Sequence, residues 1–357
     1  MIRVLVVDDS VVVRQVVSDA LRSDPSIEIV GLAQNGKIAL EKLPTCNPDV
    51  VTLDLEMPEM DGLETLTEIR KRFPKLPVVV FSTLTERGAT ATLDALSRGA
   101  SDYVCKPSGQ RSVQSTIEKI RAELIPKIHA LAGRKSGPIA HGSTATAGSG
   151  LHSARLSGNA AAQPSGPVSV VVIAVSTGGP AALAEVVPRL PPGLRQPVLI
   201  VQHMPPVFTR VLAQRLAGSS PLQVREATHQ ERIQGGHVLI APGDHHMRVA
   251  GSAREAWIAL DQGPTENGCR PAADPLFTSA AQIYGPGVLA VIMTGLGRDG
   301  TKGAAQIRKV SGQVWVQDEA SATVWGMPGS AVEAGLTQRV IPLQHIARSI
   351  AAACNAD

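Results

Sequence analysis

The sequence predicts an α/β protein of two domains, and two observations support that fold class. Buried-strand runs such as IRVLVV and VSVVVIAV recur along the chain and alternate with helical segments, which is typical of parallel sheets covered by helices on both faces. The chain also has 357 residues, too many for one ordinary domain, and a stretch rich in Gly, Ser, Ala and Pro divides it. We expect a first domain over 1–124, a flexible linker over 125–166 and a second domain over 167–357.

The first domain alternates strand and helix signals, which predicts a parallel sheet between two layers of helices. The predicted strands are IRVLVV, IEIVGLA, DVVTLDL, LPVVVFS and SDYVC. The predicted helices are SVVVRQVVSDAL, GKIALEKL, GLETLTEIRKRF, RGATATLDALSRGA and VQSTIEKIRAEL.

The second domain shows the same alternation and is expected to be doubly wound with a mostly parallel sheet. Its predicted strands are VSVVVIAV, QPVLIVQ, GHVLIAP, GVLAVIM and GQVWVQ. Its predicted helices are PAALAEVVPRL, TRVLAQRLA, PLFTSAAQIY and TKGAAQIRKV.

Composition argues against several classes of protein. The formal net charge is +3, and four basic but no acidic residues lie between 126 and 166, so the folded parts are near neutral. With 3% aromatic residues as well, no nucleic-acid partner is expected. The four cysteines are scattered, which argues against a zinc site or a disulfide framework. No run reaches the ~18 apolar residues of a membrane span, and we expect a soluble, cytoplasmic protein.

Chemically matched side chains follow successive strands of the first domain. Asp8 and Asp9 follow the first strand, Asp54 ends the third, Ser82 ends the fourth and Lys106 follows the fifth. Each alone is more often a turn or capping residue. Strand ends of a parallel sheet share one edge, however, and clustered carboxylates suit Mg²⁺. A carboxylate can also accept a phosphoryl group, whose charge a hydroxyl and an ammonium group can then bind.

The stretches VVDDS, TLDLEMPEMDG, FST and VCKP resemble those of response-regulator receiver domains, which have a flavodoxin-like (βα)5 fold. The resemblance spans the whole first domain. It implies that Asp54 is the phosphoacceptor and that Mg²⁺ bound there serves phosphorylation. It further implies a set of site residues: the metal ligands Asp8, Asp9, Asp54 and the backbone carbonyl of Glu56, and the switch residues Ser82, Lys106 and Tyr103.

The stretch STGGP places Ser176 between a predicted buried strand and a helix with Pro180 at its start. A helix N-terminus with free N–H groups suits an oxyanion or a phosphate equally well, so a nucleophile, a helix cap and an anion cradle all remain open. The stretch is not a clean G-x-S-x-G elbow, because Ala174 occupies the first glycine position.

A nucleophilic serine needs a base, and the base needs an orienting carboxylate. His203 and Asp299 each follow another predicted strand, so with Ser176 they form the simplest triad, although Asp299 alone would more often be a helix cap. Other side chains compete for these two roles: His229, His237, His245 and His246 for the base, and Asp244, Asp274 and Asp318 for the carboxylate.

The second domain resembles the catalytic domain of chemotaxis protein-glutamate methylesterases, which is Rossmann-like. The matching stretches are STGGP, VQHMPPVFT, HVLIAPGDHHM, CRPAADPLF, VIMTGLGRDG and QDEASATVWGMPGSAV. The resemblance implies that Ser176 is the nucleophile, His203 the base and Asp299 the orienting carboxylate. It places an oxyanion donor at the backbone N–H of Leu296, with Thr177 beside the nucleophile. The chain departs from the family at Cys269, where a histidine is common.

A receiver in front of such a domain implies phosphorylation-regulated hydrolysis of γ-glutamyl methyl esters on chemoreceptors, and deamidation of receptor glutamines. The hydrolytic step would need no cofactor. The implied partners are methyl-accepting receptors and a sensor histidine kinase, with the membrane reached only through receptors. Two alternatives remain. The second domain could be a nucleotide-binding or phosphate-binding module built on STGGP, although the chain lacks the G-x-G-x-x-G and Walker motifs. The protein could also be a non-catalytic adaptor.

Overall fold

The computed structural model describes residues 1–106, 113–133 and 167–355. Its first domain is a parallel five-stranded sheet of order β2-β1-β3-β4-β5, with helices following the strands in alternation. This confirms the predicted (βα)5 fold. The strands are β1 Ile2–Val7, β2 Ile27–Ala33, β3 Val50–Asp54, β4 Val78–Ser82 and β5 Asp102–Cys105; the helices are α1 Val11–Arg22, α2 Gly36–Cys46, α3 Gly62–Arg72, α4 Glu86–Ser97 and α5 Val113–Ala132.

Helix α5 is longer than the sequence predicts. It continues through Pro126 to Ala132, so the first residues of the predicted linker are helical, whereas 134–166 lie outside the described residues. A proline inside a helix removes one backbone hydrogen bond. Here Ile128 and Leu131, beyond that proline, are buried in the core of the first domain. This apolar packing outweighs the local signal to end the helix.

The second domain is built on a parallel seven-stranded sheet of order β14-β13-β12-β6-β7-β9-β8, which confirms the predicted doubly wound α/β class. Its core strands β6 and β12 are fully buried runs of aliphatic residues. The strands are β6 Val170–Val175, β7 Val198–Gln202, β8 Gln223–Glu226, β9 His237–Ile240, β10 His246–Ser252, β11 Glu255–Asp261, β12 Val288–Ile292, β13 Gln313–Gln317 and β14 Arg339–Ile341; the helices are α6 Gly179–Val186, α7 Pro206–Ala217, α8 Ala273–Tyr284, α9 Thr301–Lys309, α10 Gly326–Glu333 and α11 Leu343–Ala353.

Strands β10 and β11 form a separate antiparallel hairpin, which the sequence did not predict. The hairpin lies against helix α8, where the hydroxyl of Ser279 accepts the backbone N–H of Val249 at 2.9 Å. Strands β8 and β14 were also missed, since both are short and β8 is rich in polar residues. None of the helices in the described ranges has an apolar stretch long enough to span a bilayer.

The two domains are in direct contact. Helix α4 of the first domain packs against α6 and α7 of the second. At the end of β5, the ring of Tyr103 stacks on the ring of Phe208 from α7, with centroids 5.0 Å apart and planes 10° apart. An exposed ion pair between Arg215 and Asp94 (2.6 Å) lies at the rim. Two buried aromatic rings therefore lie at the centre of the interface.

Candidate active site and acidic pocket

The acidic residues predicted to bind a cation do lie together. Carboxylate oxygens of Asp8, Asp9 and Asp54 come within 4.8 Å of one another. Lys106 joins them, with Nζ 2.7 Å from Asp54 Oδ2 and 3.2 Å from Asp8 Oδ2. Strands β1 and β3 are neighbours and end at the same edge, which explains why residues so far apart in sequence meet.

The pocket is electrostatically suited to a hard cation. Burial raises the pKa of Asp54 to about 6 and the nearby Asp8 charge adds to the rise, although hydrogen bonding to Lys106 opposes it. Burial likewise raises the pKa of Asp8. Two buried carboxylates beside a third resist ionisation unless positive charge is added, and all the donor atoms are oxygen, which Mg²⁺ prefers. The residues present therefore fit Mg²⁺.

The other residues predicted for the receiver site have different surroundings. The Ser82 hydroxyl donates to the carbonyl of Gly88 at 3.0 Å, so it faces helix α4. Glu56 is exposed in the loop after β3, and its N–H lies 3.4 Å from Asp54 Oδ1. Tyr103 is buried against the second domain, as described above. The predicted roles of Ser82 and Tyr103 as switch residues and of Glu56 as a metal ligand stay predictions.

Ser176, His203 and Asp299 are brought to one edge of the seven-stranded sheet. Ser176 follows β6, His203 follows the neighbouring β7, and Asp299 lies in the loop between β12 and α9. His203 Nε2 is 2.7 Å from Asp299 Oδ2, and both side chains are almost fully buried. Among the described residues no hydrogen bond joins the Ser176 hydroxyl to the ring, whose Nδ1 instead faces Cys269 Sγ at 3.5 Å.

Electrostatics couple His203 to Asp299. Burial alone would lower the pKa of His203, but hydrogen bonds and charge from Asp299 and Cys269 outweigh it and raise the pKa above its usual value. Burial would raise the pKa of Asp299, but the hydrogen bond and charge of His203 overcome it and lower the pKa. The two shifts are opposite in direction, and each favours the charged form of its group. The resting pair therefore favours an imidazolium beside a carboxylate.

Backbone contacts fix Ser176. Its N–H donates to the carbonyl of Thr294 at 2.9 Å, and its own carbonyl accepts from the side-chain amide of Gln202 at 3.0 Å. Behind it lies Gly295, where an added Cβ would fall 2.8 Å from the Ser176 Cβ. The glycine is needed here because the side chains of Ser176 and Met327 occupy the space that a Cβ would take.

A cleft of about 890 Å³ opens over Ser176 and His203, and residues of both domains line it. Leu296 is half-buried at its wall. The Thr177 hydroxyl donates to Asp102 of the first domain at 2.8 Å, and the same carboxylate oxygen is 3.3 Å from the buried Lys127 Nζ. Sequence reasoning missed Asp102 and Lys127, since no local signal marks a contact between domains.

The competing histidines and carboxylates are engaged elsewhere, with one exception. Asp274 lies directly behind Asp299, and sequence reasoning also missed Asn267, which contacts both. The remaining competitors have other neighbours: His229 with Leu260, His237 with Arg225, His245 with Gly243, His246 with Pro264, Asp244 with Arg270 and Asp318 with Ser321.

Comparison with known proteins agrees with this architecture. Residues 171–350 match the family model of the CheB methylesterase, and residues 4–118 match that of the response regulator receiver domain. A protein-glutamate methylesterase/protein-glutamine glutaminase of Nocardioides sp. is 50% identical over 352 residues, covering 98% of this chain and 94% of the relative. A protein of the same name from Trichodesmium erythraeum is 45% identical over 350 residues, covering 98% and 97%.

Among solved structures, the Thermotoga maritima CheB methylesterase catalytic domain is 41% identical to this chain with a TM-score of 0.50. That comparison covers 51% of this chain and 97% of the other, as expected when one of two domains is matched. The chain therefore belongs to the CheB methylesterase family, with a response regulator receiver domain preceding the methylesterase domain.

Proposed function

We propose that this protein hydrolyses γ-glutamyl methyl esters on chemoreceptors through Ser176, His203 and Asp299, and deamidates receptor glutamines by the same chemistry. The observation that carries the proposal is the buried 2.7 Å contact between His203 Nε2 and Asp299 Oδ2, in the cleft that also holds Ser176. The activity in the relatives' names supports the substrate class. The enzyme would act in the cytoplasm, without nucleic acid, and would reach the membrane only through its receptor substrates.

The contacts of the ring assign the proton transfers. Since Asp299 engages Nε2, the Ser176 proton goes to Nδ1 as Oγ attacks the ester carbonyl. The C–O bond to the methoxy group then breaks, and Nδ1 returns the proton so that methanol leaves. Water attacks the resulting glutamyl-serine ester, again giving a proton to Nδ1, and Ser176 Oγ recovers that proton as its bond to the acyl carbon breaks. The glutamic acid side chain that is released then loses its remaining proton to solvent. With a glutamine substrate, ammonia leaves instead of methanol.

Ser176 must approach Nδ1 for this reaction, since Cys269 Sγ occupies that side of the resting ring. Catalytic hydrogen bonds are often loose before substrate binds, so the resting geometry is compatible with the mechanism. The backbone N–H of Leu296, at the cleft wall, is the proposed oxyanion donor, with Thr177 beside it.

In the receiver domain, Asp54 is the proposed acceptor of a phosphoryl group from a sensor histidine kinase. Asp8, Asp9, Asp54 and the Glu56 carbonyl would hold Mg²⁺, which when bound supplies positive charge to offset that of the phosphoryl group. Lys106, already 2.7 Å from Asp54, would pair with a phosphoryl oxygen. The Ser82 hydroxyl would turn from Gly88 to bind another.

The receiver domain restrains the hydrolytic site in the unphosphorylated state. The Asp102 contact to Thr177 and the stack of Tyr103 on Phe208 support this, because both lie at the mouth of the cleft. Phosphorylation would bias β5, which carries both contacts, and α4, which packs against α6 and α7, toward a second arrangement that opens the cleft.

The test is methanol release from methylated receptor membranes, with and without a small-molecule phosphodonor and Mg²⁺. Release that rises with the donor and is lost in Ser176→Ala supports both the activity and its control. No release from folded protein on receptors that a known methylesterase demethylates would overturn the proposal. Labelling of Ser176 by a serine-directed acylating probe, absent in His203→Ala, tests the nucleophile without any receptor.

A further inference from the structure

A tight turn next to His203 and Asp299 has no assigned role. Residues 266–269 form it, closed by two backbone hydrogen bonds: Glu266 N–H to the carbonyl of Cys269 (3.1 Å) and the reverse (2.9 Å). Its central residues, Asn267 and Gly268, have φ of 52° and 75°. Positive φ at both central positions is the type I′ geometry that Asn-Gly favours, so the local sequence specifies this turn.

The turn directs the Asn267 amide at two buried carboxylates. Nδ2 lies 2.9 Å from Asp299 Oδ1 and 3.0 Å from Asp274 Oδ2, and these two residues are 2% and 3% exposed. The amide nitrogen carries two hydrogens, so it can donate one to each carboxylate. The opposite amide orientation would put an oxygen against two carboxylates, so the contacts themselves fix which atom is nitrogen.

Asp274 is also held by hydrogen bonds. Its Oδ1 accepts the N–H of Gly303 at 2.8 Å, and its own N–H lies 3.2 Å from Asp299 Oδ1. It stands in the first turn of α8, where the helix dipole favours negative charge. Burial raises the pKa of Asp274, and the charge of Asp299 adds to the rise. Two carboxylates therefore share one buried site next to the catalytic histidine.

We propose that Asn267 and Asp274 are positioning residues of the triad. The Asn267 amide is the one side chain that donates to Oδ1 of Asp299 among the described residues. It acts with the backbone N–H groups of Asp274 and Gly300 to keep Oδ2 on His203 Nε2. The charge of Asp274 adds to that of Asp299 in stabilising the imidazolium that forms when His203 takes the serine proton. The proposal rests on the proposed roles of Ser176, His203 and Asp299.

The charged and titratable neighbours of His203 determine how its pKa responds to a substitution. His203 is faced by Asp299 and Cys269, Asp299 is faced in turn by Asp274, and Asp274 also senses the charge of Glu266. Loss of the Asp274 charge should therefore lower the pKa of His203, whereas an added carboxylate at position 267 should raise it.

Three variants of the full chain test the proposal. Asn267→Gly removes the amide, Asn267→Asp replaces the donor with a carboxylate, and Asp274→Asn removes a charge while keeping its shape. Gly and Asp both tolerate positive φ, so the turn persists. Asn47→Gly is the matched control, since Asn47 also has positive φ (38°) but caps a receiver helix far from the triad.

The first readout is methanol release under saturating phosphodonor. Asn267→Gly should lower kcat about 10-fold or more, because a misplaced catalytic group costs rate even when binding is intact. KM should stay within about two-fold. Asn47→Gly should match the unaltered protein.

The second readout is the titration of the His203 ring in ¹⁵N-histidine-labelled resting protein, with its signal assigned by its loss in His203→Gln. The apparent pKa should fall in Asp274→Asn and be higher in Asn267→Asp than in Asn267→Gly. An unchanged kcat in Asn267→Gly, or an unmoved pKa in Asp274→Asn, overturns the proposal. The titration needs no substrate, so a protein that releases no methanol would refute the proposed function alone. If Asn267→Asp does not fold, the kcat of Asn267→Gly and the His203 pKa in Asp274→Asn still test the proposal.

Discussion

The hydroxyl of Thr177, the residue after the candidate nucleophile, donates to Asp102 Oδ2 of the receiver domain at 2.8 Å. Lys127 Nζ lies 3.3 Å from the same oxygen. A buried, charge-assisted contact therefore crosses the domain interface directly beside Ser176. Hydrogen bonds to charged groups contribute about 1.5–3 kcal/mol, so this contact can shift the balance of closed and open states about 10-fold or more.

Removing that contact should raise activity without phosphorylation. In Asp102→Ala combined with Lys127→Met, the first change removes the acceptor of the Thr177 hydroxyl. The second avoids leaving Lys127 with Glu123 as its only carboxylate. We expect methanol release without phosphodonor to rise about 10-fold. Arg215→Ala is the control: it breaks the exposed pair with Asp94, and such pairs contribute about 0–1 kcal/mol. Equal basal rates in the double variant and the unaltered protein would contradict the restraint by the receiver.

Asp54→Asn should abolish the response to a phosphodonor and leave basal release intact. The asparagine keeps the size of the side chain but cannot become an acyl phosphate. Incorporation of labelled phosphate and methanol release, measured on the same samples with Mg²⁺, provide the check. Donor-stimulated release from this variant would place the phosphorylation site elsewhere.

The base should titrate above the usual imidazole range. The folded protein favours the His203 imidazolium, and catalysis needs the neutral ring, so kcat/KM should rise with pH through a pKa above the ordinary ~6.5. Cys269→Ala removes one of the two partners that raise that pKa, and the acid limb of the profile should move to lower pH. Cys46→Ser, in the receiver domain, is the control. A profile unchanged in Cys269→Ala would mean that the thiol has no electrostatic effect on the ring.

Gly295→Ala should inactivate the enzyme while leaving it folded. The added methyl would lie 2.3 Å from Met327 Sδ and 2.8 Å from Ser176 Cβ, so the nucleophile must shift. Overpacking of this kind costs about 1–3 kcal/mol of stability, which thermal unfolding can measure. Gly335→Ala is a useful comparison: nothing lies within 4 Å of its added methyl, so only backbone strain at φ +67° is introduced. Full activity in Gly295→Ala would mean that Ser176 does not need its present position.

The sequence predicts the two folds well because β6 and β12 are uninterrupted apolar runs and β1 and β3 are mostly apolar, and short runs of this kind between helical segments indicate buried strands. It also predicts the strand-end location of Ser176 and His203, since parallel strands share an edge. From the residues alone it favours Asp299 for the carboxylate but leaves Asp244, Asp274 and Asp318 as competitors. The choice depends on which carboxylate reaches Nε2, and that is a tertiary contact.

Tertiary contacts, both within and between the domains, explain much of what the sequence could not predict. Thr177 is placed by family resemblance near the oxyanion, a role that stays a prediction, but its hydroxyl is bound by a residue 75 positions away. Pro126 signals the end of a helix, yet α5 continues because the residues beyond it pack into the receiver core. Neither local propensity nor spacing contains this information.

Strand β5 contacts both sites within five consecutive residues. Asp102 and Tyr103 contact the hydrolytic domain at one end, and Lys106 contacts Asp54 just past the other. A receiver taken from another regulator would need side chains equivalent to Asp102 and Tyr103 to meet Thr177 and Phe208. Exchanging the receiver domain for another therefore requires that β5 be matched to helix α7, whose Phe208 it contacts.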